Sequence, residues 1–308
     1  MPMSHVLIRM TRTIGLIAVA LVLLGAATHG QNNSPATEFV GTMPCGTAIR
    51  AFVGGLAADA SCPAIVWKLD LGVREQTGPG WSLVATYGAP TASNPEATGA
   101  PRVSVRGRLE TSATTYRLIA TNGRSLVFRR LSSTLIHPLD ERNRLMLGTT
   151  AYSYTLSRAD ATDDPGQPEL RHGPDYTLSP RETGNTVFGI FDGRTPCMGL
   201  ARALHLVLTD GCQRVKWRIT LLQKAGSSEP TTYKIEGSLH HTARAGAWRM
   251  TRGTASDPNA IVYQLDGTAT EGPMLLWRAD DDVLLMLDEH RQPLVGTINF
   301  SYSLNRAQ

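Results

Sequence analysis

Sulfur is the side-chain chemistry that recurs at fixed places along these 308 residues. Met43 stands two residues before Cys45, and Met198 directly follows Cys197. Soft sulfur donors suit Cu(I), which makes Met43, Cys45, Cys197 and Met198 the candidate metal ligands, with copper as the ion they would take. Metals require thiolate, and a disulfide sulfur is a poor ligand, so the state of the cysteines decides the matter. His240 and His241 are adjacent, and in a strand or turn their side chains point to opposite faces. His137, His172, His205 and His290 are scattered and expected at the surface. Asp280, Asp281 and Asp282, with Glu271, Asp288 and Glu289 nearby, could attract Ca²⁺, but such a run reads first as a solvated turn. No Gly-x-Ser-x-Gly, His-Glu-x-x-His or P-loop pattern occurs, which argues for a non-enzymatic protein.

The N-terminus sets the compartment. Arg9 and Arg12 precede an apolar run from Ile14 to Leu24, and the small residues Gly25 to Gly30 follow it. Residues 1–30 therefore read as a secretory signal peptide. The run is well short of the ~20 residues that span a bilayer, so the mature chain is expected not to be an integral membrane protein. Removing Arg9 and Arg12 with the leader lowers the net charge from +4 to +2, which gives no reason to expect nucleic-acid binding. Outside the cytoplasm, oxidising conditions favour disulfides.

The chain repeats itself. Phe39-Val-Gly41-Thr-Met-Pro44-Cys45 returns as Phe191-Asp-Gly193-Arg-Thr-Pro196-Cys197, and Ile65-Val-Trp67-Lys68-Leu69 as Val215-Lys-Trp217-Arg218-Ile219. Residues 140–158 align without a gap on 288–306, with eight identities in 19 positions. Between these ends the offset drifts, with Gly107 matching Gly246 and Tyr116 matching Tyr263. Cys62 matches Cys212, so each copy holds one cysteine pair, and Cys45–Cys62 and Cys197–Cys212 disulfides are expected. Two domains follow, 31–158 and 184–308, joined by a linker over 159–183 rich in Asp, Pro and Gly. Arg130 matches Arg278 and Arg158 matches Arg306. A structural role is expected for them, such as an arginine lying over an aromatic ring, for example Trp277; an anionic ligand at the barrel mouth is the alternative.

Strand periodicity dominates both copies. Trp67, Leu69 and Leu71 alternate with Lys68 and Asp70, and Tyr152, Tyr154 and Leu156 with Ser153 and Thr155, as do Phe300, Tyr302 and Leu304 with Ser301 and Ser303. Further runs at 103–109, 115–120, 125–129, 231–236, 247–251, 261–266, 274–278 and 283–287 are separated by turn residues. Ala48 to Leu56 and Leu200 to Leu208 carry helical spacing, so each copy is expected to hold one short helix that plugs a barrel end. The fold class is all-β: two tandem small antiparallel barrels.

Phe39-x-Gly41-Thr42-Met43-Pro44-Cys45, followed by Cys62-Pro63-Ala64-Ile65 and a strand from Val66, resembles the N-terminal domain of the NlpE family. These are envelope lipoproteins linked to copper resistance and surface sensing. The resemblance implies a lipocalin-like β-barrel in the bacterial periplasm, a role in copper or envelope stress, and an envelope protein partner. Two features depart from the family. Sixteen residues separate Cys45 from Cys62 where a compact Cys-x-x-Cys is expected, and no lipid-acceptor cysteine follows the leader. A lipocalin-like carrier of a small apolar molecule is the alternative function; it needs an internal apolar cavity of roughly 300 Å³ or more.

Overall fold

Alternation of large apolar and polar residues gives each strand one buried and one wet face, and eight such strands closed edge to edge leave no unpaired edge. A computed structural model shows this arrangement twice. It describes residues 36–57, 60–75, 78–89, 94, 97, 99–162, 184–204, 212, 214–237, 244–267 and 272–307. The expected leader at 1–30 and most of the linker at 159–183 lie outside the described residues.

The first barrel runs β1 (Thr37–Pro44), α1 (Thr47–Val53), β2 (Ala64–Glu75), β3 (Gly78–Tyr87), β4 (Arg102–Thr111), β5 (Thr115–Ala120), β6 (Ser125–Arg130), β7 (Leu135–Pro138) and β8 (Leu156–Arg158). Neighbours in sequence pair antiparallel, and β8 closes on β1 through Phe39 opposite Arg158 and Val40 opposite Ser157. The second repeats the order as β9 (Asn185–Pro196), α2 (Met198–Leu204), β10 (Arg214–Lys224), β11 (Pro230–Gly237), β12 (Arg244–Arg252), β13 (Ile261–Leu265), β14 (Met274–Arg278), β15 (Val283–Leu287) and β16 (Ser303–Arg306). It closes with Asn305 opposite Asp192 and Arg306 opposite Phe191. Gly107 and Gly246 fall on the fourth strand of each barrel, and Tyr116 and Tyr263 on the fifth.

The repeated Phe-x-Gly has a physical reason. A Cβ on Gly41 would lie 2.7 Å from the Leu156 side chain, and one on Gly193 would lie 2.7 Å from the Leu304 side chain and 2.8 Å from the Ser303 carbonyl. Glycine lets the closing strand come in tight against the first.

Aromatic rings occupy both interiors. In the first barrel Phe52 of α1 stacks on Trp67 and Trp81 at 6.2 and 5.5 Å, and Phe128 meets Trp67 at 6.1 Å, so the helix plugs the barrel as expected. In the second, Phe188, Trp248 and Tyr263 form a cluster with centroids 5.1 to 5.7 Å apart. The closing strands are shorter than the alternation at Tyr152 and Phe300 suggests. Thr149 N–H bonds the Tyr152 carbonyl and Thr297 N–H bonds the Phe300 carbonyl, so both stretches are turns, and their aromatic side chains serve a contact between the barrels.

Candidate functional site

The cysteines are joined as Cys45–Cys62 and Cys197–Cys212, with Cα atoms 5.6 and 5.8 Å apart. Each bond ties the strand before the helix to the strand after it. Met43 is fully buried on the interior face of β1, whereas Met198 opens α2 and is 36% exposed. Each methionine belongs to its own barrel, and every neighbouring sulfur of cysteine is already bonded to another. That donor set is a poor fit for a resident copper ion. Among the described residues no group of three or more His, Cys, Asp or Glu is placed to hold a metal.

Met43 differs in kind from its counterpart in the second barrel. In the second barrel its place is taken by Thr195, whose hydroxyl accepts the Trp217 indole N–H at 2.8 Å. In the first, the equivalent Trp67 N–H is buried without a hydrogen-bond partner.

The repeated C-terminal segments build a seam between the barrels. The Gly148 N–H bonds Asn305 Oδ1 at 2.9 Å, and the Gly296 N–H bonds Ser157 Oγ at 3.0 Å. Residues 148 and 296 are equivalent, and so are 157 and 305, so the two bonds are one contact made twice. Thr155 and Ser303, also equivalent, share a 2.6 Å hydrogen bond, and the Tyr152 and Phe300 rings stack at 6.4 Å with 1° between planes. Equivalent residues that meet each other define a local two-fold axis, the geometry of an isologous dimer interface held within one chain. Around this polar line Leu131, Leu135, Leu139 and Leu145 bury against Val283 and Leu285.

His137, expected at the surface, lies wholly buried at this seam. Its Nε2 stands 2.9 Å from the Met146 carbonyl and its Nδ1 2.9 Å from Thr155 Oγ1. A carbonyl only accepts, which assigns the proton to Nε2 and leaves Nδ1 to accept from Thr155. Burial pushes the imidazole down to about 4, with the Met146 hydrogen bond opposing, so the ring is neutral near pH 7. The chain His137, Thr155, Ser303 thus crosses from one barrel to the other. Its only sequence signal is a histidine inside the apolar run Leu135-Ile-His-Pro-Leu139, where the other copy has Leu285.

The acidic run is a turn. Asp280 accepts the Leu145 N–H at 3.1 Å, Asp281 pairs with Arg278, and Asp282 pairs with Arg306 at 2.9 Å. Two of the matched arginines do lie over aromatic rings, though the rings are not Trp277: Arg130 sits 5.1 Å over Tyr116 and Arg306 4.8 Å over Phe191. Two open grooves flank the seam. One, of about 430 Å³, lies between Ser132–Thr134 and the turn Asp288–His290; the other, of about 530 Å³, is lined by Arg144, Trp277 and Asp281. His205, His240 and His241 lie outside the described residues, as does His172.

Fold and seam together define a class: a tandem of closed eight-stranded antiparallel barrels, each tied by one disulfide. No family model matches the sequence, and no curated protein matches it significantly. Among solved structures the chain is similar to the crystal structure of the Cpx pathway activator NlpE from Escherichia coli. The identity is 13% over 77% of this chain and 91% of that one, with a TM-score of 0.25, too low a score for the likeness to carry function. No helix among the described residues is long and apolar enough to cross a membrane.

Proposed function

We propose that this chain acts outside the cytoplasm as an NlpE-like factor of the envelope-stress or copper response, working by binding a partner protein rather than by catalysis. The observation that carries this reading is the occupied interior of each barrel: Trp67, Trp81, Phe52 and Phe128 in one, and Phe188, Trp248 and Tyr263 in the other. An eight-stranded barrel has an interior just wide enough for side chains or for one small ligand, so rings in that space speak against the carrier. The seam grooves and the outer strand faces are then what the molecule offers a partner. The disulfides fit an oxidising compartment, and copper in this reading is a stress the cell meets rather than an ion the chain stores.

The test is genetic and direct. A strain lacking the gene should grow less well than its parent under copper or envelope stress, with complementation by the full chain; equal growth under both stresses overturns the proposal. On the purified protein, a fluorescent fatty-acid probe should show no saturable one-to-one binding. Such binding would favour the carrier.

A further inference from the structure

The outer face of β9 and β10 handles charge in two unlike ways. Arg218 and Asp192, opposite in register, meet in a bidentate pair with Nε to Oδ1 at 2.8 Å and Nη2 to Oδ2 at 2.7 Å. One step along the same face Arg194 stands opposite Lys216, and beyond it Arg214 opposite Pro196. Like charges placed directly across two strands cost stability. Among the described residues neither Arg194 nor Arg214 forms an ion pair with a carboxylate; Arg194 feels the charge of Arg214, its diagonal neighbour across the two strands, and Arg214 lies over a seam aromatic. Arg194 is half-buried. Burial first, then the Arg214 charge, depress its guanidinium below the ordinary arginine value, and Tyr152 opposes them. Arg214 lies 5.8 Å over the Phe300 ring, which stacks on Tyr152 of the other barrel.

These cations belong to the second copy alone. By the repeat, Arg194 corresponds to Thr42 and Arg214 to Ala64. Thr42 donates its hydroxyl to the Ile298 carbonyl at 2.7 Å, and Ala64 is buried. The same strands therefore close in the first barrel without either arginine, so the fold does not require them.

We propose that Arg194 and Arg214, with Tyr152 beside them, form a binding site for a phosphate group. Two adjacent guanidinium groups present forks of N–H donors matched to such oxygens. A carboxylate brings a single charge, whereas a phosphomonoester brings nearly two and three accepting oxygens, which answers both arginines at once. Partial burial strengthens each of these bonds. A phosphomonoester reaches this face either as a soluble molecule or as the headgroup of an anionic lipid, and the experiment separates the two. The site stands independently of the stress-response reading.

Melting of the mature full-length chain is followed against inorganic phosphate at constant ionic strength, and the chain is floated with vesicles of phosphatidylcholine with or without phosphatidic acid. A ligand that binds only the folded state raises the melting temperature saturably. Arg194→Ala should weaken the response by about tenfold or more, while Arg106→Ala, which removes an exposed arginine of the first barrel, leaves it unchanged. Saturation by free phosphate assigns a soluble ligand; flotation with phosphatidic acid alone assigns a headgroup; either supports the site when Arg194→Ala weakens it to that extent, and a response that Arg194→Ala leaves unchanged refutes it. Arg194→Gln keeps most of the stem and repeats the comparison should the alanine variant not fold. The site is refuted by the lack of a saturable response in both arms, or by equal loss in Arg106→Ala.

Discussion

Among the described residues His137 carries the clearest pH dependence. Its folded value of about 4 lies below the ordinary 6.5, so between those values the unfolded chain takes up a proton that the buried ring refuses. Stability is therefore full above pH 6.5 and lost as the pH falls toward 4, by about 3 kcal/mol in all. His137→Leu, which copies Leu285 of the other barrel, should flatten denaturant midpoints across this window; an unchanged slope in the variant would show that His137 does not titrate there. Indole pairing offers a second test at this scale. Thr195→Val keeps the shape but strands the buried Trp217 N–H, as Trp67 already is, and should cost about 1–3 kcal/mol in urea unfolding. A variant as stable as the parent would mean that the hydrogen bond contributes nothing net.

Among elements, the helix plug and the closing strand bear most on integrity. Each disulfide spans the helix between first and second strands, with sequence separations of 17 and 15. Closing loops of that size contributes about 3 kcal/mol by restricting the unfolded chain. Cys45→Ser with Cys62→Ser should lower the melting temperature accordingly, and mass spectrometry of non-reduced peptides from the parent should find neither cysteine free. Closure itself depends on glycine. Gly193→Ala would drive a methyl group against the Ser303 carbonyl, and an overpacked contact of this kind costs about 1–3 kcal/mol. Circular dichroism melts should show that loss, and a neutral result would mean β16 can shift outward at no cost.

Across the whole molecule the two barrels are coupled by their seam. Residues Pro35–Gln308 form one compact unit, and the contact buries leucines around hydrogen bonds that each copy makes to the other. Large apolar contacts between domains suppress independent motion. Calorimetry of the mature chain should therefore give a single transition with equal calorimetric and van't Hoff enthalpies, and Leu285→Asp, which buries a charge in the seam, should separate or broadly destabilise it. Two resolved transitions in the parent would refute the coupling.

The duplication, the strand runs, the helix between the cysteines and the cysteine pairing were legible in order of residues alone, because periodicity and repeated spacing are local properties of a chain. The strand stretch 103–109 sits within β4 and 274–278 coincides with β14. What failed were positions whose role depends on the other barrel. Tyr152 and Phe300 alternate like strand residues, yet they turn outward to stack across the two-fold axis. His137 looks like any isolated histidine until the second barrel removes it from water, and Arg194 and Arg214 look like wet strand positions until register brings them together without a carboxylate. Alternation tells which side chains leave the barrel interior. Only the packed tertiary structure decides whether what they meet outside is solvent or the other copy, since that depends on desolvation by residues some 150 positions away.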